Sequence, residues 1–74
     1  MRLWIVKRII DRPVYDVCDG HVIRAPDASE ARMMASRASC DEGSDVWFDH
    51  NKTSCAEILQ SGPAEIILTD FQAG

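Results

Sequence analysis

Long apolar runs are missing from this chain of 74 residues. The longest are Leu3–Val6, Val46–Phe48 and Ile66–Leu68, far short of the ~20 residues a membrane helix needs. No membrane partner is expected. The stretch from Met1 to Arg8 is too short in apolar residues for a secretory signal and has no small-residue cleavage site, so the expected location is the cytoplasm. Cysteine is scarce and odd in number: Cys18, Cys40 and Cys55 make a poor disulfide framework, and no structural disulfide is expected in a reducing compartment. The glycines, at 20, 43, 62 and 74, are too scattered for a phosphate-gripping loop.

Basic charge is also short, with a formal net charge of −4. The basic residues crowd into the first half, where Arg2, Lys7, Arg8, Arg12, Arg24, Arg32 and Arg37 outweigh the acids. Beyond position 37 only Lys52 opposes Asp41, Glu42, Asp45, Asp49, Glu57, Glu65 and Asp70. Such a chain is poorly suited to neutralising phosphates, which argues against direct nucleic-acid binding. A basic protein surface would instead be drawn to the C-terminal half. The plainer reading is a solvated acidic face that keeps the protein soluble.

What is present suits one small domain, residues 1–74. Hydrophobic residues make up 46% and charged residues 27%, the balance of an ordinary folded protein. A chain this short buries roughly 60% of its unfolded surface, so the core must be thin. Leu3–Ile10 reads as a strand with apolar residues on both faces, stopped by Asp11-Arg12-Pro13. Val14–Cys18 and His21–Ala25 read as strand segments around the turn pair Asp19-Gly20. Asp27 as N-cap and Glu30 three residues on form a capping box. It opens a helix to about Cys40, stopped at Gly43, with Ala28, Ala31, Met34, Ala35 and Ala38 inward and Ser29, Arg32 and Ser36 outward. Val46–Phe48 reads as a short strand. Ser54 and Glu57 form a second capping box opening a short helix that Ser61-Gly62-Pro63 closes, and Ala64–Phe71 reads as a last strand. The expected fold is α+β: a small, mostly antiparallel sheet of three to four strands with one main helix on one face, in the order β-β-α-β-short α-β.

Four candidate sites follow. Cys18-x-x-His21 and His50-x-x-x-x-Cys55 could join as a Cys₂His₂ zinc set with Cys40 in reserve, but isolated cysteines are more often small buried hydrophobes. Cys55 at the start of the short helix could be an activated thiol if His50 or His21 supplied a base. Asp41, Glu42, Asp45 and Asp49 could act as paired carboxylates, but a thin core offers no cleft to separate their pKa values, and Asp41–Asp45 lacks the ligand periodicity of a calcium loop. No metal and no cofactor are therefore expected. The fourth candidate is a recognition surface of Asp41, Glu42, Asp45, Trp47, Phe48 and Asp49, an aromatic pair within an acidic rim. Its alternative is that Trp47 fills the core and Phe48 caps it, since strand neighbours point to opposite faces.

The segments Trp4-Ile5-Val6-x-Arg8, Tyr15-Asp16, Gly20-His21-Val22-Ile23-Arg24-Ala25, Glu30-Ala31-Arg32, Asp41-Glu42-Gly43, Trp47-x-Asp49, Thr53-Ser54-Cys55 and Asp70-Phe71-x-Ala73-Gly74 together resemble a group of small uncharacterised proteins of bacteriophages and of actinobacteria and their mobile elements. The resemblance implies a context: an accessory factor that binds and inhibits a host protein. It transfers no functional residue. The expected function is thus a non-enzymatic binding protein whose acidic-aromatic surface occupies a basic surface on a host defence or nucleic-acid-handling protein. The alternative is an oligomer that sequesters a small ligand such as a nucleotide signal, with Arg8, Arg24 and Arg32 on the phosphates. A homo-oligomer is compatible with either reading. A zinc- or thiol-dependent activity comes third.

Overall fold

The computed structural model describes residues 1–9 and 16–69. Three strands, β1 (Arg2–Arg8), β2 (Gly20–Ala25) and β3 (Thr53–Ile58), form one sheet in the order β2-β1-β3. Both outer strands run antiparallel to β1, with Trp4 opposite Ile23 and Glu57, and Val6 opposite His21 and Cys55. The outer strands are therefore parallel to each other and straddle the first. The chain passes between them through helix α1 (Ala28–Arg37) and a single 3₁₀ turn, η1 (Asp45–Phe48). The α+β class and the antiparallel sheet with one helix on one face are as expected. Among the described residues no helix is long and apolar enough to cross a membrane.

The alternation of β1 decides which side is covered. Trp4 and Val6 point to the helix and are buried together with Ile23, Ala25, Ala31, Ala35 and Trp47. Alanines at 25, 31 and 35 let the helix lie close to the sheet, and the Trp47 indole fills the space beside them. The opposite face carries Leu3, Ile5, Val22 and Ile58 and is only partly covered.

α1 begins where its cap requires. The Asp27 carboxylate accepts the Glu30 amide at 2.8 Å, satisfying one of the orphan donors of the first turn. The helix ends earlier than expected, at a C-cap on Ala38. Gly43 instead closes a separate turn, donating to the Cys40 carbonyl at 3.2 Å with φ at +86°, a conformation that suits glycine. The buried face is also rotated: Arg32 and Ser36 are inside, whereas Met34 and Ala38 are exposed. Ala28, Ala31 and Ala35 are common to both arrangements. What turns the helix is a set of acceptors above Arg32, described below.

Three elements differ from the sequence expectation. Residues 46–48 form a 3₁₀ turn, not a strand. Three successive side chains then fan around the axis, so Val46 is half-buried, Trp47 buried and Phe48 exposed. Residues 53–58 form β3, not a capped helix. The Ser54–Glu57 capping match is purely local, while β3 fills the second edge of β1 along six residue pairs. No strand occurs within 64–69. Both edges of β1 are already occupied there, and Pro63, which precedes the segment, has no amide to donate to a ladder. No strand forms over 16–18 either; the remainder of the strand expected at 14–18, the end of the first strand at Ile10 and its breaker at 11–13, and positions 70–71 lie outside the described residues.

Candidate functional site

The 3₁₀ turn is fastened from below by a buried cation. Arg32 is 7% exposed, and its Nη1 donates to the Trp47 carbonyl at 2.9 Å and to Thr53 Oγ1 at 2.7 Å. Nη2 reaches the Thr53 carbonyl at 3.4 Å. A guanidinium, with several donors on a planar fork, can serve two backbone segments at once. Among the described residues it forms no ion pair with a carboxylate. Thr53, itself buried, has its hydroxyl 3.1 Å from the Val46 carbonyl and 2.9 Å from that of Asp49. Arg32 and Thr53 thus tie α1, η1 and the start of β3 into one unit. The sequence reading, which turned Arg32 outward, missed this.

A second tie runs through Glu42. Its Oε1 accepts the Cys18 and Cys40 amides at 2.9 and 3.1 Å. Its Oε2 accepts the Trp47 indole N–H at 2.9 Å and lies 3.1 Å from the Cys40 amide. Nearby, the Asp41 amide donates to the carbonyl of Asp16 at 2.9 Å, where the chain turns through a left-handed residue with φ 61°, a conformation aspartate tolerates better than most. Residues 16–18 and 40–42 are thereby held side by side. Burial works against the Glu42 charge, but the amides of Cys18 and Cys40 and the indole outweigh it and lower its pKa from the ordinary 4.5. A carboxyl lowered in the folded state contributes stability above its unfolded pKa, and that contribution is lost as the pH falls through the folded value. Glu42→Gln should therefore be less stable than the parent at neutral pH. The gap should narrow below about pH 4.5, as measured by urea unfolding across pH 3–7.

The same tie brings two thiols together. Cys18 Sγ lies 2.9 Å from Cys40 Sγ and 3.6 Å from the Ala38 carbonyl. Cys40 is exposed and Cys18 half-buried. Donating its proton toward Cys40, together with burial and the charges of Glu42 and Asp19, pushes the Cys18 thiol up to about 11. Among the described residues, Cys18, Cys40 and Glu42 are the one group of potential metal ligands within 4.8 Å of each other. The Cys₂His₂ set considered as a candidate from the sequence is not assembled: His50 is exposed in the turn before β3, and His21 packs edge-on against Trp47 with ring centres 4.9 Å apart. The His21 Nε2 is buried and bonds to no described residue. Cys40, held in reserve from spacing alone, is the true neighbour of Cys18.

Cys55 loses the basis of the thiol-nucleophile reading. It sits in mid-strand and half-buried, not at a helix N-terminus. Burial raises its pKa, and the nearby Arg32 charge only partly offsets this, so the reactive thiolate is disfavoured.

The recognition surface divides. Trp47 is 0% exposed and offers no contact surface, while Glu42 is half-buried with its oxygens taken by amides and the indole. Phe48 is 52% exposed. Asp41 and Asp45 are exposed and Asp49 is half-buried, with its carboxylate accepting the Asn51 amide at 2.8 Å. Arg8, Arg24 and Arg32 do not converge within one chain. Arg32 is committed to Trp47 and Thr53, Arg8 pairs with Asp19 at 3.0 Å, and Arg24 projects from β2 away from the helix. No protein-family model, curated protein or solved structure matches this chain.

Proposed function

We propose that this protein is a non-enzymatic accessory factor that acts by binding a basic surface on another protein, through Phe48 and the carboxylates of Asp41, Asp45 and Asp49. The observation that carries this reading is Phe48. It is a large apolar ring left half in solvent by a turn whose other aromatic is buried, within a chain segment rich in acids. An exposed aromatic held on a rigid support loses little entropy on binding, and such rings serve as interface anchors. Trp47, Arg32 and Glu42 supply that support from beneath. The surrounding carboxylates would steer a cationic partner and set the register of docking. The resemblance to phage proteins adds the suggestion that the partner belongs to a host cell and is inhibited by being covered, its basic surface being one that otherwise holds nucleic acid. On this reading the protein works in the cytoplasm.

The test is differential capture from a lysate of the native host, comparing the parent chain with a variant carrying Asp41→Lys, Asp45→Lys and Asp49→Lys. The parent should retain a partner at low salt and release it progressively toward 0.5 M, where the screening length shrinks to a few ångströms, about 4 Å. The charge-reversed chain should retain none of it. Capture that is indifferent to both salt and charge reversal would remove the proposal.

A further inference from the structure

We infer that Cys18 and Cys40 form a redox-active dithiol that closes to an intramolecular disulfide in exchange with a low-molecular-weight disulfide such as oxidised glutathione. The inference does not rest on the binding role above.

Four observations carry it. The two sulfurs stand 2.9 Å apart, so a bond of ~2.0 Å requires a closure of only about 1 Å. They come from segments separated by 22 positions, so their meeting is a product of the fold. Their backbones are pinned independently of the sulfurs, since both amides bind one oxygen of Glu42 and the neighbouring Asp41 amide binds the Asp16 carbonyl. One thiol is open to solvent and the other is recessed, giving an entry point and a resolving partner. Cys55, on β3, stands apart from this group.

A metal site is the competing use of the same atoms. Zinc held by two thiolates at ~2.3 Å would part the sulfurs to about 3.7 Å and would require four ligands. The described residues bring together three, and the oxygens of the third already accept two amides and an indole. The arrangement therefore favours sulfur–sulfur chemistry.

The exchange balances in two steps. Cys40, the accessible thiol, attacks as its thiolate on one sulfur of oxidised glutathione. A mixed disulfide forms and one glutathione thiolate leaves, taking a proton from water. Cys18 then gives its proton to water and attacks the Cys40 sulfur, expelling the second glutathione. The protein loses two electrons and two protons, and one glutathione disulfide becomes two thiols. Excess reduced glutathione or a cellular dithiol reverses the sequence. Cys18 reacts as its thiolate, so the resolving step should accelerate as the pH rises.

The experiment equilibrates the full chain in glutathione buffers of graded potential, quenches with acid, blocks remaining thiols with N-ethylmaleimide and maps the products by mass. The expected product has lost two hydrogen atoms, carries one maleimide on Cys55 and yields a linked Cys18–Cys40 peptide that dithiothreitol dissolves. Its melting temperature should rise by on the order of 10 °C, because the bond encloses β2 and α1. A persistent glutathione adduct on Cys40 beside a free Cys18 would overturn the inference. So would a bond involving Cys55, or one zinc per chain that shields both thiols from the buffer.

Discussion

Replacing Trp47 with alanine is expected to remove about 3–5 kcal/mol, a large share of the stability of the fold. The indole is the largest fully buried side chain among the described residues, and large-to-small changes of a buried aromatic cost about 3–5 kcal/mol. The loss goes beyond volume. Trp47 packs against the His21 ring, its N–H holds Glu42, and through Glu42 it helps to hold the Cys18 and Cys40 amides. The core around it is otherwise built from Trp4, Val6, Ile23 and three alanines, which cannot collapse into the space without moving the helix. At the usual 0.05–0.15 kcal/mol per residue, a chain of this size has only about 4–11 kcal/mol to lose. Circular dichroism during a urea titration is the measurement. A folded baseline displaced by less than ~1 kcal/mol would contradict the buried position of this ring. Trp47→Phe, which keeps most of the volume but removes the N–H, should cost only about 1 kcal/mol.

Arg32→Leu should be the next most damaging change, at about 2–3 kcal/mol, even though leucine is a good helix former and apolar. The substitution leaves the Trp47 and Thr53 carbonyls without the donor that now satisfies them, and unpaired buried acceptors are costly. Removing a guanidinium that has no described carboxylate partner recovers some desolvation energy, which keeps the estimate below that for Trp47. Arg32→Lys should recover only part of the loss, since the shorter ammonium has no second nitrogen to reach the Thr53 carbonyl. Thermal melts of the two variants should both fall by roughly 10 °C or more. A melting temperature near the parent's for either would mean that the guanidinium does not tie the turn to the strand.

These expectations show where sequence reading reached and where it stopped. β1, β2 and the capped start of α1 were legible because their signals are local: β-branched residues in a row and an aspartate before a helical stretch; the turn expected at Asp19-Gly20 does not form, Gly20 being the first residue of β2. β3 was not, because a serine and a glutamate at capping spacing outweighed the inward alternation of Thr53 and Cys55, which becomes decisive only beside the open edge of β1. The rotation of α1 was hidden for a related reason. Arg32 and Ser36 flank the alanine stripe on one side and Met34 and Ala38 on the other, and composition favours the second pair. The carbonyls that select the first belong to residues 15 and 21 positions away. The Cys18–Cys40 pair has the same origin, since nothing in its spacing signals contact. The recognition surface read from the sequence included both Trp47 and Phe48; burial of Trp47 was its alternative, argued for a strand, and a tight turn delivers it.

The most direct test of the account sets these two neighbouring rings side by side, through melting curves of Trp47→Ala and Phe48→Ala. The tight turn of residues 45–48 is held to bury one and present the other. Phe48→Ala should melt within a few degrees of the parent, as exposed positions change stability by no more than about 0.5 kcal/mol, while Trp47→Ala should melt more than about 10 °C lower. If the two variants are destabilised alike, Phe48 belongs to the core, and the surface on which the proposed function depends does not exist.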